Sequence, residues 1–152
     1  DEIEDLARLT EQEEIDVRFI ELMPIGEALK NESIGYVSNK IVLEKLPELI
    51  PLKRKDPSSP AVYYKLPNAK GRIGLINPIS CKFCKHCNRV RLTAQGKLKL
   101  CLHSDEEVDL REVLKNRCSI ESIIIDAVNK KPESHQLENG QYISKKMYQI
   151  GG

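Results

Sequence analysis

The chain has 152 residues, of which 40% are hydrophobic and 31% charged, and its formal net charge is +1. That balance suits a folded protein with one core, or one and part of another, and excludes a disordered chain. No run of about 18 apolar residues occurs, so a membrane-spanning helix is excluded. The opening residues lack both a secretory pattern and a methionine, which reads as an excised or processed chain, and a cytoplasmic protein is expected.

Ile3, Leu6 and Leu9 stand at helical spacing, so the first dozen residues are expected to end an amphipathic helix. Ile15 to Met23 is a largely apolar, β-branched run that stops at Pro24. A helix feeding such a strand is the pattern of an α/β unit with a buried parallel strand. Ser38 is placed to cap a helix from Asn39 to about Leu46. The proline- and serine-rich stretch from Leu49 to Pro60 reads as a boundary, which divides the chain into 1–56 and 57–152. Val62 to Leu66 and Gly71 to Ile76 read as a hairpin around Pro67-Asn68-Ala69-Lys70.

From Pro57 to His103 there is no Asp or Glu, while nine Lys and Arg side chains occur there. Such a block is a local anion site. Within it, Cys84-x2-Cys87 and Cys101 flank Arg89-Val90-Arg91. A three-residue loop Ala94-Gln95-Gly96, with Gly96 at positive φ, pairs Leu92 with Leu98 and Val90 with Leu100. The opposite face then pairs Arg91 with Lys99 and Arg89 with Cys101. A two-residue loop would mix the faces, so the three-residue register is expected. Beyond it, Val108 to Leu114 and Ile120 to Val128 carry helical spacing, and the chain ends Gly151-Gly152. Cys118, between those helices, is read as core.

Five cysteines, three of them closely spaced, favour metal over disulfides where no secretory signal is present. Zinc wants four protein ligands, and Cys81, His86 or His103 could be the fourth. Cys81-x2-Cys84-x2-Cys87 also has the spacing of iron–sulfur runs. Spacing alone leaves the metal open. Arg18 is the other residue of note, because an unpaired charge in an apolar strand is costly; an ion pair with a neighbouring carboxylate is its ordinary explanation.

The string Phe83-Cys84-x2-Cys87-Asn88-Arg89-x-Arg91-Leu92-Thr93-x2-Gly96-Lys97-x3-Cys101-Leu102 resembles the C-terminal signature of the GTP 3′,8-cyclase family. These are radical S-adenosylmethionine enzymes, lyases of molybdenum cofactor biosynthesis. Arg18-Phe19-Ile20-Glu21-Leu22-Met23-Pro24, Gly71-Arg72-Ile73-Gly74, Ile79-Ser80 and Met147-x2-Ile150-Gly151-Gly152 extend the resemblance over nearly the whole chain. It implies an α/β fold (α+β in isolation): the last strand–helix elements of an incomplete TIM-type barrel, then an antiparallel sheet subdomain with helices.

By the same resemblance, Cys84, Cys87 and Cys101 hold a [4Fe–4S] cluster with one open iron, where the guanine of GTP docks. Arg18, Arg89, Val90 and Arg91 contact GTP, Met23 packs on S-adenosylmethionine, and the Gly151-Gly152 tail enters the active site. The reaction implied removes hydrogen from ribose C3′ and joins C3′ to C8 of guanine. The C-x3-C-x2-C motif for the family's S-adenosylmethionine-binding [4Fe–4S] cluster does not occur here, since the cysteines begin at position 81. The chain is therefore expected to be the C-terminal half of such an enzyme, without a catalytic residue of its own and inactive without the N-terminal half. The expected partners are GTP, that half, a second copy in a homodimer and the next enzyme of the pathway. The competing reading is a zinc-stabilised nucleic-acid or anion-binding module. It is weakened by the single aromatic residue, Phe83, between Lys82 and Lys99.

Overall fold

A computed structural model describes residues 2–29, 35–137, 142, 143, 145 and 147–150. The expected tail residues Gly151 and Gly152 lie outside the described residues. The fold is mixed α/β, with two sheets and several helices, and the described residues form no closed barrel. The chain divides into two compact units, 1–23 with 35–87, and 24–34 with 88–152. The division near the cysteines falls between Cys87 and Asn88. The stretch around residue 56 is instead the connection between two paired strands.

The first unit opens with α1 (Ile3–Gln12) and β1 (Asp16–Ile20), followed by α2 (Lys40–Lys45), β2 (Ile50–Pro51), β3 (Ala61–Lys65) and β4 (Arg72–Ile76). Its sheet runs β1-β4-β3-β2. β3 and β4 are the expected hairpin, with Asn68 at φ 62° in its turn. β1 pairs parallel with β4, Asp16 opposite Arg72 through Ile20 opposite Ile76. It is an edge strand, so the expectation of a buried one is corrected: Ile20 is exposed.

The core of this unit gathers Ala7, Val42, Leu46, Leu66, Ala69, Ile73 and Leu75. Helix α1 thus buries Ala7 and Thr10 with Ile3 packed beside them, whereas Leu6 and Leu9 are exposed. Thr10 can turn inward because its hydroxyl donates to the Ala7 carbonyl at 2.8 Å. The main chain of Gly71 approaches here, its N–H donating to the Thr10 carbonyl at 2.8 Å. At the start of α2, the Ser38 hydroxyl accepts the Lys40 N–H at 3.3 Å, close to the expected cap.

The second unit holds β5 (Arg91–Leu92), β6 (Lys97–Lys99), β7 (Glu107–Asp109), α3 (Leu110–Lys115) and α4 (Ile120–Asn129). β6 is central in an antiparallel β5-β6-β7 sheet. Leu98, Leu100 and Ala127 are its buried core, covered by Val108, Leu110 and Ile124. Val108 therefore belongs to a strand rather than to the helix its spacing suggested. Asp109 ends that strand and begins α3 by accepting the Arg111 and Glu112 N–H groups at 3.0 and 3.2 Å.

Candidate metal centre

Strand β4 leads through residues 77–83 to Cys84 and Cys87. Past Ile76 the chain turns through residues 77–80 and enters a single 3-10 turn, Cys84–His86. The Cys87 N–H closes on the Cys84 carbonyl at 3.0 Å. Both cysteines are half-buried, while Lys85 and His86 between them are exposed. None of the five cysteines forms a disulfide.

The turn is tied to the end of β1 by Glu21. Its carboxylate accepts N–H bonds from Ile79 and Ser80 at 3.1 and 2.9 Å and the Ser80 hydroxyl at 2.5 Å. The Tyr36 and Ser38 hydroxyls and the Asn39 N–H add bonds of 3.2, 3.4 and 3.4 Å. Burial opposes the charged form, but the bonds from Ser80, Ile79 and Asn39 outweigh it and hold the carboxyl below its ordinary 4.5. Asp16 is held below 3.8 chiefly by the Arg72 hydrogen bond. Both groups bind protons more readily unfolded than folded, so their stabilisation is complete above those ordinary values and is lost as pH falls through the lower folded ones. The thermal midpoint of this unit is expected to fall between about pH 5 and pH 3. A midpoint flat over that window would contradict it.

Arg18 departs from its expected setting. Its side chain is 52% exposed and pairs with Asp16 at 3.6 Å, the ordinary explanation of a charged residue on this strand. Arg72 makes a two-pronged bond to Asp16 at 2.9 and 2.7 Å and lies 4.4 Å over the Tyr63 ring, with Arg18 at 5.8 Å from the same ring. Two guanidiniums against one carboxylate leave this face cationic. Met23 is half-buried just beyond β1.

In the second unit the expected register is realised: Arg91 opposes Lys99 and Leu92 opposes Leu98, with Gly96 at φ 77°. The two faces, however, are buried differently from the expectation. Lys99 is 0% exposed on the supposed polar face, and Leu92 is 61% exposed on the apolar one. Lys99 tolerates this because its ammonium donates to the Ser104 carbonyl and lies 4.0 Å from Glu107. Arg89 and Val90 precede the ladder and are exposed, and the Arg89 carbonyl accepts Lys131 Nζ at 2.6 Å. Cys101 follows β6, half-buried, with its carbonyl accepting the Ser104 N–H at 3.3 Å. Opposition of Arg89 and Cys101 lies beyond the paired residues.

Cys101 lines a cavity of about 440 Å³ together with His103, Asp105, His135, Gln136 and Tyr142. The two imidazoles meet edge-on at 5.0 Å between centroids. Burial first, then the charges of His135, Lys99 and Arg91, push His103 down to about 4. Its buried Nδ1 has no hydrogen-bond partner among the described residues. Sequence reasoning had named His103 only as a spare ligand and had given Glu21 and Lys99 no role. An acid that ends an apolar strand, and a lysine directly opposite an arginine, were the available signals. Cys118, read as core, is exposed, because the bend between α3 and α4 turns it outward; Cys81 is also exposed.

Within neither unit do three His, Cys, Asp or Glu side chains of the described residues gather to hold an ion. Thiolates are the ligands that iron–sulfur iron selects. Cys84 and Cys87 stand at the two ends of one turn of the first unit, and in the second Cys101 follows a strand that carries Lys97 and Lys99 at its two ends. No helix among the described residues is long and apolar enough to cross a membrane.

Residues 15–137 match the family described as Molybdenum Cofactor Synthesis C. The whole chain aligns with a GTP 3′,8-cyclase of Peptoclostridium acidaminophilum at 53% identity, covering 47% of that protein. The GTP 3′,8-cyclases of Alkaliphilus oremlandii and of Clostridium botulinum strain Langeland are 48% and 49% identical, again over the whole chain and 48% of theirs. The chain thus spans about half the length of the curated relatives it matches.

Proposed function

The chain belongs to the Molybdenum Cofactor Synthesis C family, and from that premise we propose that it supplies the substrate side of a GTP 3′,8-cyclase. Cys84, Cys87 and Cys101 hold a [4Fe–4S] cluster by three thiolates. Such a cluster, when bound, supplies one iron without a protein ligand, a Lewis-acid contact for the guanine base. Arg91 and Arg89 grip GTP beside Cys101, with Val90 against the nucleotide. Arg18 adds charge toward the triphosphate, and Met23 packs against S-adenosylmethionine. Guanidinium forks suit phosphate oxygens, since they offer paired donors with a permanent charge. Holding base and phosphates at once fixes C3′ and C8 of one nucleotide close together, which removes much of the entropic barrier to joining them. The working protein is a cytoplasmic homodimer that also contains a cluster binding S-adenosylmethionine. It passes the cyclised nucleotide to the next enzyme of cofactor assembly.

The observation that carries this reading is the register that sets Arg91, only half-buried, opposite Lys99, two residues before Cys101. Cation and thiolate share one short stretch, which suits a compact polyanion anchored at a metal. The test is iron, sulfide and zinc content with a visible spectrum, on protein purified and reconstituted without oxygen. About four irons and four sulfides beyond those kept by Cys84→Ala are expected, as in other cysteine-held clusters. GTP should perturb that spectrum in the wild type and not in Arg91→Ala. One tightly held zinc, no iron uptake and indifference to GTP would replace this reading by the zinc-stabilised binding module.

A further inference from the structure

We propose that Glu21 is a positioning residue for the cysteine turn: its buried carboxylate, bonded to the backbone of Ile79 and Ser80, sets where the chain leaves the sheet toward Cys84 and Cys87. The inference rests on the reading that those thiolates hold a cluster. Glu21 is 1% exposed. A carboxylate so buried is costly unless its lone pairs are satisfied, and here they are, by six donors from two distant segments, 36–39 and 79–80. The paired residues of β1 and β4 end at Ile20 and Ile76, and the Glu21 N–H adds one bond to the Ile76 carbonyl at 3.1 Å. Beyond that point the path of the chain is no longer dictated by strand pairing.

Two groups take over. Asn39 Nδ2 donates to the Asn77 side chain at 2.7 Å and to the Phe19 and Ile76 carbonyls, both at 3.1 Å. Glu21 then fixes the next two peptide N–H groups, at Ile79 and Ser80. Cys84 lies four residues on, and Cys81 N–H bonds back to the Asn77 carbonyl at 3.3 Å, so the direction set at 77–80 is passed into the turn. A leucine at 21 removes the acceptor from the Ile79 and Ser80 N–H groups at similar side-chain volume, and that segment is displaced to find another. An aspartate keeps the charge but draws the acceptor back by one methylene, which stretches both peptide bonds.

The experiment uses the protein that carries this chain, reconstituted without oxygen. Iron at the three-cysteine site is taken as the excess over Cys84→Ala, with the electron paramagnetic resonance spectrum of the reduced cluster and circular dichroism alongside. Glu21→Leu is expected to keep its dichroism, to hold that iron about tenfold less tightly, as groups that orient metal ligands commonly contribute, and to shift the g-values. Glu21→Asp should move the g-values in the same direction and by less. Wild-type iron retention and g-values in a folded Glu21→Leu protein would overturn the proposal. If Glu21→Leu does not fold, Glu21→Asp decides: altered g-values support the proposal, and wild-type ones overturn it. A wild-type protein with no iron beyond the Cys84→Ala level overturns both this and the function it rests on, whereas iron retained equally by wild type and Glu21→Leu overturns this alone.

Discussion

Replacing Cys101 by alanine is expected to abolish retention of iron at the three-cysteine site while leaving the fold in place. With three thiolates and no spare cysteine ligand in the second unit except the exposed Cys118, loss of one leaves two irons without protein bonds. The fold has little stake in the Cys101 sulfur. It is half-buried at the edge of a cavity, whereas the strand before it is held by buried Leu98 and Leu100 and by the Lys99 ammonium on the Ser104 carbonyl. Removing one partly exposed sulfur therefore costs about 1 kcal/mol or less. Iron and sulfide analysis beside a thermal melt separates the two effects. Cys118→Ala is the control and should retain the full complement. Full retention of iron by Cys101→Ala would remove Cys101 from the ligand set.

Gly71→Ala is expected to destabilise the first unit by about 3 kcal/mol or more, the range of severe overpacking compounded by broken ladder bonds. A Cβ at Gly71 would stand 2.0 Å from the Ile15 carbonyl oxygen and 2.9 Å from both the Glu13 oxygen and the Ile15 nitrogen. All three are main-chain atoms, so no side chain can rotate away. The same Ile15 carbonyl accepts the Arg72 N–H at 3.0 Å, and Gly71 itself donates to Thr10. Any shift that admits a methyl group pulls apart α1, β1 and β4 where they meet. Gly35→Ala is the matched control, since nothing among the described residues lies within 4 Å of its added Cβ. Urea unfolding compares them; equal midpoints for both variants would show that the close approach at Gly71 is not as drawn.

Much of the arrangement around the arginines was legible because the hairpin is a short-range problem. Alternation of period two, a glycine able to take positive φ and a turn of fixed length leave one register for Arg91 and Lys99. Which face would be covered was not legible. Lys99 is buried because a carbonyl at Ser104 and a carboxylate at Glu107 meet its ammonium, and neither partner is marked by local periodicity. The same holds for α1. Leu6 and Leu9 fit a helical stripe as well as Ala7 and Thr10 do, and the Gly71 backbone, 61 positions beyond Thr10, decides between them. Glu21 is the extreme instance, with donors 15 to 59 positions away. Cys84 and Cys87 were legible as a pair, since the turn that carries them is local.

The pairing of β1 with β4 has a consequence for the order in which the two cysteine segments are set. Arg91 and Lys99 meet across 8 positions, Asp16 and Arg72 across 56. A sevenfold longer loop costs about 1.7 kcal/mol more entropy to close, by the logarithmic law for flexible chains. The basic hairpin leading to Cys101 can therefore form from local collisions, on the scale of about 1–10 μs. The turn bearing Cys84 and Cys87 hangs from a strand whose parallel neighbour must first return from the far end of that loop. Two of the three thiolates thus wait on the slowest closure in the first unit, and the third does not.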